Sequence, residues 1–168
     1  MTPRAQKKPT VQEFTKIKST GKKVELRWVT SEKGADHEHH VKSAEEPRPE
    51  LTEALDFFKP FVMELLGLED TAFDEGLRVT GLSIDTGEDG RRGMIITCRK
   101  DLEHTNGPLI FNTPHIREAA DDAEDGSATD GVGLWLAGMA DALERADAAA
   151  SGFLKGERAQ LDLALAKP

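Results

Sequence analysis

The stretch from residue 77 to 101 constrains the fold more than any other part of the chain. Leu77 and Val79 alternate with Arg78 and Thr80; after Gly81, Leu82 and Ile84 alternate with Ser83 and Asp85. A period of two marks a strand with one buried face. The apolar phase moves from odd to even positions at Gly81, and a strand absorbs such a shift only by bulging, so a β-bulge is expected there. Residues 85–93 are polar and contain Asp89-Gly90, a strong turn pair. Residues 94–100 then return as a second strand. An isolated hairpin is marginal in water, so the rest of the chain must supply further strands and a cover.

Both are legible. Val24, Leu26 and Trp28 alternate with Glu25, Arg27 and Val29. A short strand at 14–18 precedes them across a turn at Gly21, and residues 36–42 return beyond Gly34, which makes a small antiparallel meander. Leu51, Leu55, Phe58, Val62 and Leu65 recur at spacings of four, three, four and three, one face of a helix. Pro60 lies inside that pattern and should kink or split the helix near Lys59, with Gly67 as its C-terminal stop. Residues 108–111 form a further short strand. A second helix is expected from about 130 to 151, with Val132, Trp135, Met139, Leu143 and Ala146 on one face. The expectation is an α+β fold: an antiparallel sheet from two hairpin or meander units and two main helices, in the order sheet–helix–sheet–helix. Residues 1–12 read as a flexible basic arm and 13–153 as a single domain. That domain carries an acidic loop at 119–130, and 154–168 read as a polar tail.

Charge narrows the function classes. The net charge is −9, yet residues 1–24 carry seven Lys or Arg and one Glu, which leaves −15 on the remaining 144. An acidic body repels bulk nucleic acid, which argues against wrapping of long duplex DNA but not against a local basic patch or a small anionic ligand. The single Cys98 sits in an apolar run and reads as a reduced core residue. No apolar run approaches a membrane span or a secretory signal, which points to the cytoplasm. The chain holds no Gly-x-x-x-x-Gly-Lys, no Gly-x-Gly-x-x-Gly, no His-Glu-x-x-His and no zinc-deaminase pattern, so it is read as a non-enzyme without a cofactor.

Three clusters carry chemistry. Residues 105–117 place Asn106, Asn112, Thr113, His115 and Arg117 between and beside Pro108 and Pro114. These are donors suited to phosphate, ribose or a base edge, although Asn and Thr in such a turn commonly bond their own backbone. Arg91 and Arg92, beside Lys22 and Lys23 if the two hairpins sit together, would make a phosphate-contacting surface; the plainer reading is charged tips that keep sheet edges soluble. His37, His39 and His40 lie within five residues, and His37 with His39 would share a strand face. Nothing else completes a tetrahedral set, so no metal is assigned.

The run Gly107-Pro108-Leu109-Ile110-Phe111-Asn112-Thr113-Pro114-His115, preceded by the hairpin and followed by Gly156-Glu157-Arg158-Ala159-Gln160, resembles a family of uncharacterised proteins of tailed phages and prophages. The similarity spans roughly residues 77–160. It implies a phage origin, hence residence in the host cytoplasm, and carries no mechanism. Together these readings lead to an expected non-enzymatic protein that binds a small anionic ligand through segment 112–117, in one version sequestering a nucleotide immune signal to counter host defence. The alternatives are a single-stranded nucleic-acid or recombination accessory protein using the basic hairpins, and an inhibitor or adaptor that binds a host protein. A homo-oligomer is expected through the glycine- and alanine-rich helix at 131–150.

Overall fold

The computed structural model describes residues 13–119 and 133–156; the arm at 1–12, nearly all of the loop at 119–130 and most of the tail at 154–168 lie outside them. It is an α+β fold in which, among the described residues, one sheet of eight strands carries three α-helices on a single face. The first meander is β1 (Glu13–Ser19), β2 (Val24–Glu32) and β3 (Ala35–Ser43). Then come α1 (Pro49–Asp56) and α2 (Lys59–Leu65), the hairpin β4 (Leu77–Thr86) and β5 (Arg92–Lys100), and the short strands β6 (Leu109–Asn112), β7 (Ile116–Arg117) and β8 (Gly133–Leu134). The last element among the described residues is α3 (Met139–Leu154). The sheet order is β3-β2-β1-β4-β5-β7-β8, with β6 also on β5; every pairing is antiparallel except β7 with β8.

The expected bulge is present. Val79 opposes Cys98 and Gly81 opposes Thr97, so Thr80 is the extra residue and Gly81 resumes the ladder. Leu77, Val79, Leu82 and Ile84 therefore all face the helices and are buried, together with Met94, Ile96 and Cys98 across the hairpin. Pro60 divides the first helical pattern as expected. With no N–H at Pro60, the bond to the Asp56 carbonyl is lost and α1 ends there. Leu51, Leu55, Phe58 and Val62 stay buried on the same side. Beyond Leu66, the N–H groups of Gly67 and Leu68 bond the carbonyls of Glu64 and Met63 at 3.0 and 2.9 Å, a Schellman closure.

The last helix starts later than its periodicity suggests. Gly138 takes φ +92° and its absent side chain would lie 3.3 Å from Phe61 Cζ, so the backbone turns sharply before Met139. Trp135 thus lies off the helix, its indole N–H donating to the Ile116 carbonyl at 3.3 Å. The small residues Ala142, Ala146 and Ala150 are buried within the chain itself, in the core that α3 forms with α1 and the sheet. They let the two helices approach, and they are not available as a face for a second copy. No helix among the described residues is long and apolar enough to cross a membrane.

Candidate functional site

Because all helices sit on one face, the side chains that alternate to the other face of the sheet meet no second layer among the described residues. On β1 these are Lys16 and Lys18, and on β2 Glu25 and Arg27, each opposite the other pair in register. On β3 they include His40 and Lys42; on β4 and β5, Arg78, Asp85, Thr97 and Arg99; beyond them Ile110, Asn112 and Arg117.

Two cavities open on this side around the β1–β2 turn. One, of about 470 Å³, is lined by Lys18, Thr20, Lys23, Lys42 and Ser43, with Glu25 as its one carboxylate. The other, of about 420 Å³, is lined by Lys18, Thr20, Arg78, Thr97, Arg99 and Ile110, with Asp101, and reaches past the sheet end to Thr52 and Asp56 of α1. They share Lys18 and Thr20, so the two form one basic furrow across the strands. The acidic groups within it are already engaged. Burial by itself would raise the Glu25 carboxyl, but hydrogen bonds from Lys16 and His40, at 3.2 and 3.0 Å, outweigh it and hold the group below its ordinary range. Asp56 accepts from the Arg78 guanidinium and from the Val79 N–H, and Asp101 from Arg99 at 3.3 Å. Lys18, Lys23 and Lys42 thus present the cationic charge of the furrow.

The segment 112–117 is organised differently from expectation. β6 and β7 are one strand against β5, interrupted at residues 113–115: Asn112 opposes Thr97 while Ile116 opposes Met94, so one extra residue bulges out. Thr113 is buried and holds that bulge. Its N–H donates to the Ile96 carbonyl at 2.9 Å and its hydroxyl accepts the Ile96 N–H at 3.0 Å, in place of a ladder carbonyl. Asn112 accepts from the Thr97 hydroxyl at 2.8 Å on the open face. His115 and Arg117 do converge, but on Asp85: His115 Nε2 lies 2.7 Å from Oδ1, and an Arg117 Nη donates to Oδ2 at 3.3 Å. Gly87 and Gly93 leave the room they occupy, since a Cβ would fall 2.3 Å from Arg117 Nη1 and 2.3 Å from His115 Nε2 respectively. The Asp85 carboxylate thereby occupies the ring nitrogen and the guanidinium that the two would offer an anion. Asn106 is exposed in the β5–β6 loop, at the opposite end of β5 from Arg117. The five residues do not meet in one pocket, and neither basic cavity is lined by Asn112, Thr113, His115 or Arg117.

The basic surface built from both hairpin tips also does not form. β1 runs antiparallel to β4 with Lys18 opposite Gly81, which places Lys22 and Lys23 near the start of β4. Arg91 and Arg92 lie at its far end, roughly 25 Å away along the strands. Arg91 is tied to Asp89, whose carboxyl is lowered by hydrogen bonds from the Arg91 guanidinium and N–H. Arg92 is clamped by Glu118 through its N–H at 2.9 Å and its guanidinium at 3.0 Å, and lies over the Trp135 ring at 5.3 Å. These contacts prevail over the desolvation of Glu118 and hold that carboxyl low.

The histidines divide between faces. His39 stacks on Trp28 at 5.2 Å and bonds Thr30, whereas His40 reaches Glu25 on the other side. No group of three possible metal ligands gathers among the described residues. Cys98 is fully buried, and burial pushes its thiol up to about 12, far from the range of a nucleophile.

The sequence alone singles out Lys22 and Lys23 but gives them Arg91 and Arg92 as neighbours, and it does not point to Lys42, Arg78 and Arg99. Strand parity carried the signal: each occupies the polar phase of an alternating strand. Comparison with protein-family models, with curated proteins and with solved structures returns no match.

Proposed function

We propose that this chain is a non-enzymatic binding protein in which the basic furrow around the β1–β2 turn captures a compact phosphate-bearing ligand of the nucleotide class. The observation that supports this most is the furrow made by two cavities sharing Lys18 and Thr20, lined by Lys18, Lys23 and Lys42 in a chain of net charge −9. Against an acidic body such a concentration of cations draws an anion to one place. Threonine and serine hydroxyls on the rim supply the directional bonds that phosphate or ribose oxygens accept. The furrow, rather than segment 112–117, holds the cations and hydroxyls that such a ligand needs. In a phage-infected cell this would amount to sequestration of a nucleotide signal.

A single nucleic-acid strand is the second reading, favoured by the continuity of the two cavities across several strands. It lacks a stacking platform, because no Phe or Trp alternates onto this face among the described strands.

Calorimetric titration of the full chain with ATP, with a cyclic dinucleotide and with a short oligothymidylate separates these. We expect the nucleotides to bind, Lys18→Glu to weaken them at least tenfold, and Arg91→Glu to leave them unchanged. Absence of binding to all three at low ionic strength, or binding indifferent to Lys18→Glu, would overturn the assignment.

A further inference from the structure

The sheet has a long edge with no strand beyond it among the described residues. β3 runs nine residues, pairs β2 in unbroken register from Val24 with Ser43 to Glu32 with Ala35, and contains neither proline nor bulge. Its other side presents unpaired N–H and C=O groups, the usual template for another strand. Natural edges are commonly guarded by charge, and β3 is charged, but the order of its charges is self-complementary rather than repulsive.

We propose that β3 pairs antiparallel with β3 of a second copy, about a two-fold axis passing through His39 and perpendicular to the sheet. In that register residue numbers of opposed residues add to 78. On the helix-free face Asp36 then opposes Lys42 of the second copy, a charge pair that symmetry repeats, and Glu38 opposes the His40 imidazole, a polar pair repeated likewise. On the helix side His37 opposes Val41 and the two His39 rings meet at the axis, each already stacked on its own Trp28.

Neighbouring registers that keep both helix layers on one face are poorer. A shift of the axis to Glu38 sets that carboxylate against its own copy. A shift to His40 keeps a charge pair, Glu38 with Lys42, but opposes two imidazoles and leaves Asp36 opposite Ala44, beyond the end of the strand. Only the register centred on His39 also uses all nine residues of the strand. The parity that sends Asp36, Glu38, His40 and Lys42 to one face follows from the observed pairing with β2, so it does not depend on the functional proposal above.

The test uses the full chain in sedimentation velocity across a concentration series, with two pairs of variants. Wild type should show twice the chain mass. Asp36→Lys, which faces Lys42 of the copy, should weaken association at least tenfold, and adding Lys42→Asp should restore it. In parallel, His39→Cys should form an intermolecular disulfide on mild oxidation, because residues opposed at the axis have Cβ atoms about 5 Å apart. His37→Cys should not, since its copies lie about 13 Å apart along the strands; Cys98 is buried and does not compete. A single-chain mass at millimolar concentration, a dimer indifferent to the charge reversals, or cross-linking equal at 37 and 39 would each overturn the proposal.

Discussion

Asp147 on α3 offers the sharpest test of the energetics. Its Oδ1 is buried without a hydrogen-bond partner in the structure. Burial pushes the carboxyl from its ordinary 3.8 up to about 6, Glu13 and Glu144 push the same way, and Arg92 pulls against them. Arg92 cannot neutralise Asp147 fully because Glu118 and Trp135 already hold its guanidinium. A carboxyl whose folded value is raised binds its proton more tightly when folded, so its contribution to stability is complete below the unfolded value near pH 4 and is lost as pH rises through about 6. The full shift corresponds to about 3 kcal/mol at 1.36 kcal/mol per pH unit. The side chain is only partly buried, and solvent screening reduces the expected loss to roughly 1.5 kcal/mol. Asp147→Asn keeps the shape and removes the titration. Urea unfolding of both proteins at half-unit steps from pH 4 to 8 should show equal stability near pH 4 and the variant ahead by about 1.5 kcal/mol at pH 8, with unchanged m-values. A difference that does not vary with pH would refute the reasoning, as would a wild type more stable than the variant at pH 8, which would mean that Arg92 dominates.

Three further outcomes follow from particular contacts. Thr113→Val leaves the Ile96 N–H buried without its acceptor and should cost about 1–3 kcal/mol in chemical unfolding, although the shape is nearly conserved. Gly138→Ala forces a left-handed residue and a 3.3 Å approach to Phe61; a loss of about 1–2 kcal/mol is expected, and a variant as stable as wild type would contradict the sharp entry into α3. Cys98 should resist a thiol reagent at pH 8 until denaturant unfolds the chain, because the thiolate is strongly disfavoured in the core; rapid native labelling would show that the hairpin opens.

Much of the scaffold was legible because its signals are local. Alternation over 77–101 encodes a hairpin whatever surrounds it, and the phase change at Gly81 encodes the bulge, since one face must stay buried on both sides of it. Pro60 splits its helix through a missing N–H, which needs no tertiary context. The start of α3 was less legible: Val132 and Trp135 continue a helical spacing, and only the turn at Gly138 against Phe61 shows that Trp135 belongs to the layer over Arg92.

The candidate site was legible only as residue types. Strand parity alone says that Lys16, Lys18, Lys42, Arg78 and Arg99 avoid the core, because an alternating strand in water must expose its polar phase. Which of them stand together depends on strand order, and that is decided by which edges pair across tens of residues of sequence. Placing β1 between β2 and β4 brings Lys18 between Lys42 and Arg78, and it sends Arg91 and Arg92 to the other end of the sheet. The same order sets Asp85 beside His115 and Arg117, some thirty residues away, so a segment rich in donors is occupied by a carboxylate from the hairpin before it. The chain's local chemistry settled its elements, its bulge and its buried thiol; the pairing of distant strands, which no short-range pattern encodes, decided where its charge is gathered and where it is cancelled.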